Sequence, residues 1–281
     1  MKLTSVSVLS NETEGIRFDL RNVESQSPYM VRTIIGLDAE ELISKFYGFS
    51  KDGTKKFHDF KMKPRDIVMR IVLNPRYNID ESTSYIRDSL YKMISATRSG
   101  ELELQFNSGA STVARIYGRM TKFEVPYFSK TPELQITIHC EVSMFRGINP
   151  VVMGPGDLSA GTNITVPDSL STAPHGCTMW MTLDATLSTL VIADQNPNPE
   201  WEFLVVPESD FIAGDQIILV SDFNDRQLFM IRGAVVTHLL DRIDPESVWP
   251  IIFPGNNEFY FPGAASFSWA GISYFPAYWG V

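Results

Sequence analysis

The sequence predicts a mainly β protein in two domains: an antiparallel β-sandwich or sheet with one packed α-helix over residues 1–147, then an all-β sandwich of jelly-roll type over residues 148–281. Three observations predict it. Only one stretch carries an apolar stripe at helical spacing, many short runs alternate apolar and polar residues between turn-forming clusters, and the charge balance breaks near residue 148. At 281 residues the chain also exceeds the ~100–200 residues of a single domain, so two separate cores are expected.

In the first domain, Leu3, Val6 and Val8 alternate with polar residues until Asn11 and Glu12 interrupt, which is too short an apolar run for a secretory leader. Ile67, Met69, Ile71 and Leu73 alternate with Val68, Arg70 and Val72, the pattern of an inner strand that is apolar on parts of both faces. Asp80 can cap a helix in which Ile86, Leu90, Met93 and Ile94 form one stripe, and Gly100 ends it. Leu102, Leu104 and Phe106 then alternate, Asn107-Ser108-Gly109 turns the chain, and Val113 to Val125 returns as a long strand bearing Arg115 and Arg119. Leu134, Ile136, Ile138, Cys140 and Val142 alternate with Gln135, Thr137, His139 and Glu141, an antiparallel strand with one wet face.

Gly147-Ile148-Asn149-Pro150 and Gly154-Pro155-Gly156 read as a linker, which places the boundary at about residue 148. Beyond it, short strand-like runs occur at 178–183, 201–206, 216–220, 228–231, 258–261 and 265–274, divided by Pro, Gly, Asn and Asp turns. Short strands without a long helical stripe argue for a sandwich or jelly roll.

Charge separates the halves. Residues 1–147 hold 21 Lys and Arg against 18 Asp and Glu, a net +3, whereas residues 148–281 hold 3 against 15, a net −12 with no lysine. The overall −9 opposes phosphate binding, so specific nucleic-acid recognition is not expected. No apolar stretch reaches the ~18 residues of a membrane span, so no insertion is expected either.

The residues give little sign of chemistry. His58, His139, His175 and His238 are scattered singly, and Cys140 and Cys177 lack a partner at ligand spacing, so no metal site or disulfide scaffold is indicated and buried free thiols are expected. No G-x-S-x-G elbow, P-loop or dinucleotide fingerprint occurs, and no cofactor is implied. The many carboxylates of the second half could supply a glycosidase pair, but solvated surface is the expected role. Asn163-Ile164-Thr165 matches a glycosylation acceptor that matters only in a secreted chain.

Several segments together resemble a known family. In the first half these are Arg65-Asp66-Ile67, the helix around Tyr85 to Ile94, Gly100, Ala114-Arg115-Ile116-Tyr117-Gly118-Arg119, Phe128-Ser129 and Glu133 to Ile138. In the second half they are Gly214-Asp215, Trp249-Pro250, Phe253-Pro254-Gly255-Asn256-Asn257, Phe259-Tyr260-Phe261 and Tyr274 to Gly280. In this order they resemble the distal tail proteins of long-tailed phages, whose second domain is a galectin-like β-sandwich. The resemblance covers about residues 60–281 and rests on the combination rather than on any single motif. Gly214, Asp215, Trp249, Pro254, Gly255 and Asn257 are its structural signature: two turns, a core plug at Trp249, and an Asn257 side chain able to hold the second turn.

The resemblance implies a non-enzymatic virion protein of the phage tail tip, assembled in the host cytoplasm. It implies a homo-oligomeric ring, usually of six copies, with the first domains closing the ring and the second projecting outward. Its implied partners are the tail tube protein, the tip or hub protein, and receptor-binding or baseplate proteins, with DNA passing through the lumen. Carbohydrate binding by the second domain is the alternative, since Trp180, Trp201, Trp249, Trp269 and Trp279 could stack on sugars, although most lie in apolar strand runs that favour core packing. A glycan-degrading enzyme is the remaining alternative.

Overall fold

The computed structural model describes residues 3–10, 13–20, 27–38, 42–49, 55–73, 83–97, 100–124, 133–154, 163–194, 201–223, 225–260 and 267–281. In chain order the elements are β1 (Ser5–Ser10), β2 (Thr13–Leu20), β3 (Tyr29–Ile35), β4 (Leu42–Phe49), β5 (Lys55–Met62), β6 (Arg65–Leu73), α1 (Thr83–Thr97), β7 (Leu102–Ser108), β8 (Ser111–Glu124), β9 (Glu133–Cys140) and β10 (Phe145–Arg146). They continue with β11 (Val151–Met153), β12 (Asn163–Asp168), β13 (Thr178–Leu183), β14 (Leu190–Asp194), β15 (Trp201–Val205), β16 (Gln216–Asp222), β17 (Asp225–Arg232), β18 (Val235–His238), β19 (Gly255–Tyr260), β20 (Phe267–Tyr274) and β21 (Ala277–Tyr278). The chain divides into two compact units, one of Met1–Lys45, Asp59–Ile148 and Tyr278–Val281, the other of Phe46–His58 and Asn149–Ala277.

The first unit is built on one sheet in the order β21-β10-β8-β7-β1-β2-β3-β6-β9, and a further β8–β9 pairing closes seven of those strands on themselves. Closure depends on the length of β8. Its first part, Ser111 to Gly118, pairs with β7, and its second part, Arg119 to Glu124, pairs with β9. Gly118 sits at the switch, where a Cβ would lie 2.7 Å from both the Cys140 sulfur and the His139 carbonyl oxygen. Only a residue without a side chain lets the two backbones meet so closely. Between antiparallel neighbours, β2 and β3 pair in parallel, with Asp19 opposite Met30.

Strand parity fills the core. In β6 the side chains of Ile67, Met69, Ile71 and Leu73 are buried while Asp66 and Arg70 are exposed and Val68 and Val72 are half-buried. β3 and β9 flank it on either side, which makes β6 an inner strand. Leu134, Ile136, Ile138 and Cys140 of β9 point into the same core, and Ile86 and Leu90 of α1 pack there at 1% and 0% exposure. Each such burial contributes about 1.5–3 kcal/mol relative to exposure, enough to hold a helix that could not persist alone. Asp80, the expected cap, lies outside the described residues, as do the side chains of Met93 and Ile94. β4 and β5 form a separate two-stranded sheet.

The second unit is a β-sandwich. A six-stranded sheet, β11-β20-β13-β16-β17-β18, faces a four-stranded sheet, β12-β19-β14-β15, across one core. Met179, Met181, Ile217, Leu219 and Leu228 come from the first sheet, and Val166, Ile192, Phe203 and Phe259 from the second. Period-two alternation sends the intervening residues outward, as in β13, where Thr178, Trp180 and Thr182 are half-buried.

Candidate functional site

The signature residues form two separate knots in the second unit. Gly214 has φ +91°, and its N–H donates to the Leu183 carbonyl at 2.7 Å. Asp215 beside it is buried and accepts from Arg232 Nε at 2.8 Å and Nη2 at 2.7 Å, while Ile212 N donates to Oδ2 at 2.8 Å. The turn before β16 is thereby fastened to the ends of β13 and β17. Hydrogen bonding from Arg232 holds the Asp215 carboxyl below the ordinary carboxylate range, outweighing the opposing effect of burial.

The other knot joins β19 to β12. Gly255 has φ +108°, and Pro254 before it is exposed. Asn257, fully buried, accepts from Phe253 N at 2.7 Å and donates to the carbonyls of Phe253 (2.8 Å), Gly255 (3.2 Å) and Val166 (3.2 Å). One amide therefore fixes the turn and ties it to the neighbouring strand. Trp249 is half-buried, its ring centroid 5.0 Å from that of Phe203 and 5.6 Å from the Arg226 guanidinium carbon. Asp215 holds the turn before β16 and Asn257 the turn at the start of β19, in different sheets, so both residues fasten the sandwich.

Two buried polar centres lie apart from the signature residues. Arg65 is 1% exposed: Nη1 donates to the carbonyls of Gly36 (2.9 Å) and Asp38 (3.0 Å), Nη2 to that of Trp279 (3.0 Å), and the guanidinium lies 4.7 Å from the Phe145 ring centroid. Arg65 shares the inward parity of Ile67, Met69 and Ile71 in β6, which an alternation of apolar residues alone does not reveal. The second centre is His175 with Asp168, whose facing atoms are 3.0 Å apart and almost fully buried. No periodic pattern surrounds His175, so no sequence signal marked it.

The remaining histidines divide. His139 is partly exposed, with Nδ1 2.7 Å from Asp66 Oδ1, and His238 is exposed against the Phe229 ring; the His58 side chain lies outside the described residues. Cys140 and Cys177 are free and buried, and burial pushes both thiols up to about 12. No group of three or more His, Cys, Asp or Glu able to hold a metal occurs among the described residues.

One surface departs from expectation. Trp180 faces away from the core, because Met179 and Met181 take the inward positions of β13. It stands in register with Gly271, Ile218, Phe229 and His238, a row crossing five strands of the six-stranded sheet. The adjoining rows carry Val152, Ser273, Thr178, Val220 and Gln227 on one side and Thr182, Gln216, Ile231 and Val236 on the other. None of these positions holds Asp, Glu, Lys or Arg, within a half of the chain that carries a net −12. The side chains of Trp201 and Trp269 lie outside the described residues.

No family model matches the chain, and no curated protein matches it in sequence. Solved structures do match it in fold. The crystal structure of the SPP1 Dit protein, described as a paradigm of the hub adsorption apparatus in phages that infect Gram-positive bacteria, aligns with a TM-score of 0.58 at 11% identity, covering 89% of this chain and 93% of that one. The phage P2 baseplate in its activated conformation aligns at 0.43 with calcium (98% of each chain) and 0.40 with strontium (97% of each), both at 11% identity. Over nine-tenths of its length the chain has the fold of SPP1 Dit, the protein of a phage hub adsorption apparatus.

Proposed function

We propose that the chain is a structural subunit of a phage tail tip or baseplate. The observation that carries this reading is the co-extensive likeness to SPP1 Dit, which covers nine-tenths of both chains rather than one shared domain. On this reading copies of the chain form a ring of six that joins the tail tube to the tip or hub protein, with no reacting group of its own. Residues 1–147 close the ring and residues 148–281 project outward, in a virion assembled in the host cytoplasm. Ring closure uses unpaired strand edges and the hairpin turn from Asn107 to Thr112, since one heterologous contact repeated by rotation closes a ring. DNA passes through the lumen without specific binding.

The charge asymmetry supports a division of labour. Outer domains at −12 repel one another and attract baseplate or receptor-binding proteins with basic patches. Co-purification with the tail tube and hub proteins of the same phage tests the assignment. The three should associate, and binding of basic baseplate partners should weaken as salt rises from 50 to 500 mM, roughly a threefold fall in Debye length. Absence of any association with tube and hub would remove the proposal.

A second reading has one observation in its favour. The outer face of the six-stranded sheet carries the half-buried Trp180 on an uncharged, largely apolar surface with Thr178, Thr182, Gln216 and Gln227 nearby, which suits a neutral saccharide. A glycan array decides it: binding abolished by Trp180→Ala supports this role, and no binding by the intact protein disposes of it.

A further inference from the structure

Four strands end the two sheets of the second unit, and two of them are guarded. β15 is covered by the chain at 242–248: Val206 N donates to the Arg242 carbonyl at 3.0 Å, Asp244 N to that of Leu204 at 2.9 Å and Val248 N to that of Glu202 at 3.1 Å. β12 contains Pro167, which lacks an N–H and whose carbonyl already accepts from the Tyr274 hydroxyl at 3.0 Å. β11 and β18, the two ends of the six-stranded sheet, contain neither proline nor charge. No Asp, Glu, Lys or Arg occurs from Gly147 to Gly154 or from Gly233 to Leu240, within a half at net −12. Val152 and Val235, 64% and 63% exposed, are the most exposed large hydrophobics among the described residues, and Val236 is 57% exposed.

Ladder register shows where the open peptide groups point. Leu239 N donates to the Leu228 carbonyl at 2.9 Å, so the alternation of an antiparallel ladder makes Met230–Thr237 and Arg232–Val235 hydrogen-bonded pairs. Val236 and His238 therefore turn their N–H and C=O groups away from β17. At the other end of the sheet, Ser221 N donates to the Cys177 carbonyl at 2.8 Å, which makes Met179–Leu219 a hydrogen-bonded pair, then Thr178–Ser273, then Val151–Tyr274. Val152 accordingly turns its N–H and C=O away from β20. All five pairings in the sheet are antiparallel, so β11 and β18 run in opposite directions. Copies rotated about an axis roughly along the strands bring β18 of one beside β11 of the next as an antiparallel pair. Val152 and Val236 both project from the outer face of the sheet, as directly opposed residues of such a pair must.

We propose that β11 of one copy pairs with β18 of the next, Val152 opposite Val236, joining the six-stranded sheets of neighbouring second units edge to edge. The inference rests on the ring reading above and adds a second contact to it. One heterologous contact repeated by rotation satisfies both open edges of every copy, whereas a two-fold pairing of β18 with β18 leaves every β11 open. The pairing also covers the exposed valines. Repulsion between units at net −12 opposes the contact, so it forms between copies already held together by their first units, and added salt strengthens it.

The test co-expresses the chain carrying Val152→Cys with the chain carrying Val236→Cys and adds a short bis-maleimide; the native thiols of Cys140 and Cys177 are buried. Cross-linked pairs should form from the mixture and not from either variant alone, and their yield should rise with salt. His238→Pro, added to the Val236→Cys chain, removes an outward N–H and no hydrogen bond of the β17–β18 ladder. It should abolish the cross-link while leaving the circular dichroism spectrum unchanged. A cross-link that survives His238→Pro, or self-linking of Val236→Cys alone, would overturn the pairing. A native mass of six copies without the 152–236 cross-link would overturn it too and leave the ring reading standing, whereas a monomer would overturn both.

Discussion

Arg65 donates from Nη2 to the carbonyl oxygen of Trp279 at 3.0 Å, across 214 residues of sequence. The same guanidinium binds the carbonyls of Gly36 and Asp38, so one cation ties two backbone segments, 36–38 and the stretch at Trp279, to its own strand β6. A planar fork of donors suits this task better than an ammonium. Arg65→Met should cost the first unit about 3 kcal/mol by leaving buried carbonyls unsatisfied, and Arg65→Lys an intermediate amount. Urea unfolding midpoints check both; an unchanged midpoint in Arg65→Met would contradict the role.

Gly118 provides a steric test of sheet closure. A Cβ there meets the Cys140 sulfur and the His139 carbonyl at 2.7 Å, and the carbonyl belongs to a paired strand that cannot yield. Gly118→Val should cost about 1–3 kcal/mol or more, and Gly109→Ala, at an open hairpin turn, should cost less despite its φ of +64°. Thermal denaturation of the two variants ranks them.

The acid limb of stability should trace to Asp168 and Asp215. Both carboxyls are held below the ordinary range: for Asp168 burial acts upward but is outweighed by hydrogen bonds from His175 and Ser171, and for Asp215 hydrogen bonding from Arg232 dominates. A depressed folded-state pKa adds stability that is complete above the unfolded value, near pH 4, and is lost as pH falls through the folded value. Asp215→Asn should therefore lower stability at pH 7 and flatten its fall between about pH 5 and pH 2. An equally steep acid limb in Asp215→Asn would contradict the assignment.

Cys140 and Cys177 should resist thiol reagents in the native protein at pH 8, because burial keeps both as thiols. Two equivalents should react after denaturation. Rapid native-state labelling would mean that these cores open readily.

Local pattern made some of this fold legible and left other parts hidden. The alternation at Ile67 to Leu73 and Leu134 to Cys140 and the stripe at Ile86 and Leu90 are short-range signals that the structure bears out, whereas the turn expected at Asn107-Ser108-Gly109 falls at Gly109-Ala110, because Asn107 and Ser108 still pair with Thr112 and Ser111. β12, β14 and β18 went unread because their strength lies in partners distant in sequence, such as Tyr260 opposite Asn163. The closure of β8 onto β9 and the parallel β2–β3 pairing are likewise long-range events that no local period encodes. Trp180 misled because an apolar strand run cannot tell which parity faces the core when Met179 and Met181 compete for it. Arg65 and His175 are buried polar residues whose partners are mostly backbone carbonyls or distant side chains, and composition records neither.

The proposed tail-tip role requires that copies of this chain bind one another in a closed ring. Native mass measurement with electron microscopy of the purified chain reads this out. A cyclic particle of six identical subunits with a central channel is expected; a monomer that persists at high micromolar concentration, with no ring in the images, would rule the ring out.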